Sequence, residues 1–103
     1  MKITPGQIVI SKCGRDKGKA FIVFKLSDEN YNIFNNAELS QFDYVFIADG
    51  KIRKIENLKK KKIKHIELTD KVDFNIKAML ENKENIKNAD IVKALHTYRN
   101  GGI

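Results

Sequence analysis

"YVFIADGKIRKI", residues 44–55, is the stretch on which the fold turns. Its first five residues are mostly β-branched or aromatic, a run of strand length and too short for a buried helix. Asp49 and Gly50 follow, and an Asp-Gly pair suits a type I′ turn, in which both central residues take positive φ. The expectation is a tight hairpin whose return strand is "KIRKI", residues 51–55.

Strand-like runs lie on both sides of it. "QIVIS" at residues 7–11 and "AFIVF" at 20–24 precede it, and "IKHIEL" at 63–68 follows a run of lysines. Residues 27–43, rich in Asn and acids, read as a long connection or insertion rather than a clean element. Short strands with tight turns point to a small SH3-like or OB-like barrel, because closing a sheet removes exposed edges.

After Asp70 the apolar period changes from two to that of a helix. Ile76, Met79 and Leu80 form one stripe, and Ile91, Val92, Leu95 and Tyr98 another. Asn88 reads as the N-cap of the second helix, Asp90 lies in its favourable first turn, and Gly101 and Gly102 stop it. Helices this short are marginal alone and must pack on the barrel, on each other or on a partner. The expected class is mainly β with C-terminal α: a barrel over residues 1–70 with an insertion at 27–43, then a C-terminal helical appendage of two short helices over 71–103.

At 103 residues there is room for one core. The balance of 20 basic to 13 acidic residues, +7 net, favours a polyanionic partner. Of the basic residues 17 are Lys and 3 Arg, which suits attraction to phosphates by mobile point charges and disfavours bidentate reading of DNA base edges. The single Cys excludes an internal disulfide, no charged and apolar leader opens the chain, and no apolar run approaches the ~20 residues of a membrane span. A cytoplasmic protein with no membrane role is expected; a polybasic run without an amphipathic helix or lipid signal anchors poorly.

Two segments concentrate the cations. "KCGRDKGK", residues 12–19, places Lys12, Arg15, Lys17 and Lys19 around Gly14 and Gly18, opposed by Asp16 alone. Its glycines hint at a nucleotide-binding P-loop. That motif needs four residues before its Gly-Lys, then Ser or Thr for magnesium, then a helix; here there are three, then Ala20 and a strand. An ordinary turn with solvated charges is the simpler reading.

The second segment, residues 51–64, contains Lys51, Arg53, Lys54, Lys59, Lys60, Lys61, Lys62 and Lys64 against Glu56, so it alone carries the chain's whole net charge. A charge run is ordinarily a solvated face. Four consecutive lysines held in a loop between strands repel one another unless a polyanion neutralises them.

The residues together bring a family into view. "PGQIVISKCGRDKGKAFIVF" at 5–24, "IADGKIRKIENLKKKKIKHI" at 47–66 and "NADIVKAL" at 88–95 resemble the bacterial KOW-domain RNA-binding proteins, whose barrel type is shared by some archaeal and eukaryotic large-subunit ribosomal proteins. The resemblance implies an SH3-like (KOW) barrel, with Gly18 at the motif glycine and Arg15, Lys17 and Lys19 around it. It implies RNA binding, with ribosomal RNA, ribosome assembly or translation as the setting. Residues 27–43 depart from it, being longer than the family's connection.

Phe21, Phe24, Tyr44 and Phe46 fall in expected strands and read as core, whereas Tyr31, Phe34 and Phe42 in the long connection are candidates for exposed contacts or, equally, for a lid folded back on the barrel. His65, beside the lysines, is a candidate RNA contact, although a strand residue with a satisfied side chain is the simpler reading. His65, His96 and Cys13 lack the spacing of a zinc site or a nucleophile and base pair, and no paired carboxylates stand in a catalytic setting. A reactive Cys13 among cations is the remaining chemical option. The expectation is a non-catalytic RNA-binding protein without metal or cofactor. The rival is a protein-interaction adaptor, which needs an exposed patch of Ile91, Leu95 and Tyr98 for a protein partner.

Overall fold

The computed structural model describes residues 2–26 and 39–102. Tyr31, Phe34 and most of the expected insertion at 27–43 lie outside them. Five strands, β1 (Gln7–Ser11), β2 (Ala20–Leu26), β3 (Tyr44–Ala48), β4 (Lys59–Lys62) and β5 (Ile66–Val72), form one antiparallel sheet in the order β4-β3-β2-β1-β5. Two helices, α1 (Phe74–Glu81) and α2 (Asn88–Arg99), follow it. The protein is mainly β with C-terminal α.

β4 and β5 are consecutive in the chain yet stand at opposite edges of the sheet. A single 3-10 turn, Ile63–His65, joins them. The amides of Ile63 and Lys64 donate to the Asp43 and Gln41 carbonyls before β3, while the His65 carbonyl accepts from the Lys12 amide at the end of β1. The turn thus carries the chain across the end of the sheet, a connectivity compatible with an SH3-like barrel. Its presence corrects the expected strand at 63–68: the first three residues make the turn, and pairing with β1 runs from Ile66.

Alternation along each strand fills two cores, one on each face. Val9, Phe21, Val23, Leu26, Val45 and Ile47 point to one side, with Ile3, Leu39, Ile63 and Ile66 closing over them. Ile8, Ala20 and Ile22 point to the other, where Ile76 of α1 and Ile91, Ala94 and Leu95 of α2 cover them. The helices therefore share a core with the sheet.

The hairpin differs from the expectation drawn from Asp49 and Gly50. Only Gly50 takes positive φ, at 81°; among the described residues the one non-glycine that does so is Lys83. Asp49 instead bonds its own loop: its Oδ1 accepts from the amides of Lys51 and Arg53, and the Arg53 carbonyl accepts from the amides of Asp49 and Gly50. This side-chain competition, which Asp commonly wins in turns, closes a wider loop than a type I′ turn. "KIRKI" consequently does not return as a strand. The chain makes a 3-10 turn at Ile55–Asn57 first, and β4 is the tetralysine itself, paired Ile47 to Lys59, Phe46 to Lys60, Val45 to Lys61 and Tyr44 to Lys62. The four lysines lie on an edge strand, not in a loop.

A second correction explains why the loop is held so. Asn88 is the first residue of α2, and the N-cap position is Lys87, whose amide donates to Asp90. Asn88 faces the 3-10 turn instead: its Oδ1 accepts from the Ile55 amide and its Nδ2 donates to the Glu56 carboxylate. Gly50 lies against the same place. A Cβ there would stand 2.5 Å from the Asn88 carbonyl oxygen, so the turn after β3 and the start of α2 meet with no room for a side chain. The far end of α2 stops as expected, with the amides of Gly101 and Gly102 donating to the Tyr98 and Thr97 carbonyls. Among the described residues no helix is long and apolar enough to cross a membrane.

Candidate nucleic-acid interface

The glycine loop between β1 and β2 is a closed turn. Gly18, at φ 84°, lets its amide reach the Ser11 carbonyl, while the amides of Lys17 and Lys19 donate to the carbonyls of Gly14 and Asp16. All three N–H groups are spent within the loop, so its backbone has none of them to give to a phosphate. What it offers is side chains: Lys12, Arg15, Lys17 and Lys19 are exposed, and so is Gly18.

Three ties bind this loop to the lysine-rich segment. Asp16, which the sequence reads as solvated, is buried; its Oδ2 accepts from Arg53 Nε at 3.1 Å and lies 3.0 Å from Arg53 Nη2. Lys61 Nζ donates to the Cys13 carbonyl at 3.1 Å, and the Lys12 amide donates to the His65 carbonyl at 2.8 Å. These link residues 12–16 to residues 53–65 at three points. Two segments far apart in the chain are held together, with Arg53 and Lys61 as the struts between them.

The pleat of β4 sorts its lysines. Lys59 and Lys61 pair with Ile47 and Val45, which face the first core, and Lys61 reaches from that side to the glycine loop. Lys60 and Lys62 pair with Phe46 and Tyr44, on the opposite side. There the aromatic residues are half-buried, correcting the expectation that both are core: residues 44 and 46 alternate with Val45 and Ile47 and take the other face. Phe24 is likewise only half-buried, against the helix-covered core, whereas Phe21 is fully buried.

On that side lysines and rings meet repeatedly. Lys60 and Lys62 place Nζ 4.5 and 5.6 Å from the Tyr44 ring centroid. Lys25, paired with Phe46 across β2 and β3, sits 4.8 Å from the Phe46 centroid, and Lys64 sits 5.7 Å from that of Phe42. Each such contact is worth about 0.5–1 kcal/mol at an exposed site. Phe42 is 61% exposed. Tyr44 and Phe46 on β3 thus run beside Lys62 and Lys60 on β4, and Phe42 and Lys64 form a further such pair in the turns just beyond the strands.

The remaining candidates lie apart from this stripe. Lys51 and Lys54 are exposed in the loop after Gly50, connected to the surface through Arg53 between them. His65 is half-buried in the 3-10 turn, and His96 is far along α2, its Nε2 3.0 Å from Asn100 Nδ2. Ile91 and Leu95 are fully buried and Tyr98 half-buried against the sheet, so the patch sought for an adaptor is spent on the fold. Among the described residues no three His, Cys, Asp or Glu side chains group to hold a metal.

Lys25, Tyr44 and Phe46 join the candidate residues here, and sequence reasoning missed them. The signal was present: in "FDYVFI", residues 42–47, aromatic residues occupy every second position and alternate with Asp, Val and Ile. Read at period two, that run separates an aromatic face from an aliphatic one. No protein-family model matches the chain, and no curated protein matches it in sequence.

Proposed function

We propose that the protein is a non-catalytic, cytoplasmic RNA-binding protein of the KOW type, acting on ribosomal RNA or in ribosome assembly and translation. The observation that carries the reading is the joining of the glycine loop to the lysine strand by the Asp16–Arg53, Cys13–Lys61 and Lys12–His65 contacts. The contacts hold the two charge runs against each other, so that Lys12, Arg15, Lys17 and Lys19 on the loop and Lys60 and Lys62 on the other side of β4 offer phosphates cations at the same edge of the sheet. Lysine point charges, with the Lys17, Gly18 and Lys19 amides bonded within the loop, favour contact with the backbone over reading of base edges.

A salt titration of RNA binding, followed by fluorescence anisotropy, tests this. Each phosphate neutralised contributes about 0.7–0.9 to the slope of log affinity on log salt. Replacing Lys60, Lys62 and Lys64 by Ala lowers that slope by about 2–3 and weakens different RNAs about equally. Absence of binding at low salt, or a slope that the three replacements leave unchanged, overturns the reading. The ribosomal setting is tested separately, by crosslinking in cells and sequencing the attached RNA; enrichment of one large-subunit rRNA helix is the expected result.

A further inference from the structure

We infer that the Phe42, Tyr44 and Phe46 stripe is a stacking platform for unpaired RNA bases, so that the surface takes a single-stranded segment rather than a duplex; the inference rests on the RNA-binding reading above. The sheet's second face is divided. Helices α1 and α2 cover Ile8, Ala20 and Ile22, whereas the β3 and β4 half carries Tyr44, Phe46, Lys60 and Lys62, with Lys25 beside them. Lysine ammoniums at 4.5 to 5.7 Å from three ring centroids show ring faces within reach of mobile, charged side chains. A face that an ammonium reaches, a base can reach once that lysine swings to a phosphate.

The spacing fits an extended strand. Residues two apart on one face of a β-strand lie about 7 Å apart, close to the phosphate spacing of a drawn-out single strand and about twice the separation of stacked bases. Splayed nucleotides can therefore meet Tyr44 and Phe46 on β3 while Lys60 and Lys62, paired with them on β4, meet their phosphates; Phe42 and Lys64, in the turns just beyond the two strands, add a further ring and cation. A duplex cannot use the rings, because its bases are stacked on one another and its helical grooves present edges rather than faces. Exposed aromatic residues beside cations are the common means by which proteins hold single strands without reading sequence.

Binding to three probes decides it: an unstructured RNA strand of about 12 nucleotides, the same strand with abasic sites at its centre, and a duplex of equal length. The intact strand binds best, and Phe42→Ala with Phe46→Leu lowers its affinity about 10-fold or more while leaving the abasic strand's affinity unchanged. Tyr44→Phe, which keeps the ring, leaves the intact strand's affinity unchanged. Melting curves confirm that each variant is folded at the assay temperature. Equal binding of intact and abasic strands, or preference for the duplex, overturns the stacking inference and leaves RNA binding standing. Absence of binding to all three probes at low salt overturns both.

Discussion

The two halves of the sheet's second face share one pleat and meet different fates. Over β1 and β2, Ile8 and Ile22 are fully buried beneath Ile91 and Leu95 of α2. Over β3 and β4, the equivalent positions are Tyr44, Phe46, Lys60 and Lys62, which neither α1 nor α2 covers among the described residues and whose rings meet lysine ammoniums. Ala48, buried and paired with Ile22, marks the seam. The difference teaches where free energy is spent: one half buries aliphatic side chains under helices, and the other sets rings beside cations, the arrangement on which the proposed RNA contact rests. Lysines also guard an edge strand against pairing with other chains. That role explains cations on β4 without explaining the rings set under them.

If this division is right, substitutions in the covered half cost stability and spare binding. Leu95→Ala removes a fully buried side chain from the seam between α2 and the sheet, at about 2–5 kcal/mol. Denaturant unfolding should show that loss, with RNA affinity per folded molecule and its salt slope unchanged. A changed salt slope in the folded variant would break the comparison, because it would mean that the helices shape the basic surface as well as support it.

The seam is sharper to probe at the turn after β3. Gly50→Ala forces a side chain into a positive-φ position, costing about 1–3 kcal/mol for the backbone alone, and drives its Cβ against the Asn88 carbonyl. Asn88→Ala removes only the bond to the Ile55 amide and the contact with Glu56, about 1 kcal/mol. Thermal melts should rank the two in that order. A larger loss for Asn88→Ala would mean that the side-chain bonds, not the close backbone approach, hold α2 to the hairpin.

The covered half was far more legible in sequence than the open one. Ile76, Ile91 and Leu95 stood at helical spacing, and the aliphatic runs of β1 and β2 marked strands, because burial writes a period into the chain. The turn misled because Asp49 can close a loop with its carboxylate as readily as it can enter a type I′ turn, and the dipeptide does not distinguish them. That one ambiguity moved the return strand from "KIRKI" to the lysines. Asp16 and Arg53, 37 positions apart, carried no local sign of their pairing. Tyr44 and Phe46 read as core because aromatic residues in strands usually are, although their alternation with Val45 and Ile47 already assigned them to a separate face.

The smallest effect tests whether the lysine strand is crowded at all. Lys60 and Lys62 both lie over the Tyr44 ring, so their ammoniums are within about 10 Å of each other, where two unit charges in water repel by about 0.4 kcal/mol. Raising ionic strength from about 0.01 to 0.15 M shortens the screening length from about 30 to 8 Å and removes most of that repulsion. The melting temperature should therefore rise with salt, and rise less in Lys62→Gln, which removes one member of the pair and is otherwise near neutral, within about 0.5 kcal/mol. The comparison between wild type and variant isolates this pair from the chain's overall +7 charge. Identical salt dependence in both proteins would mean that the rings and solvent already accommodate the two ammoniums, and the open half would then have no electrostatic stress for a polyanion to relieve.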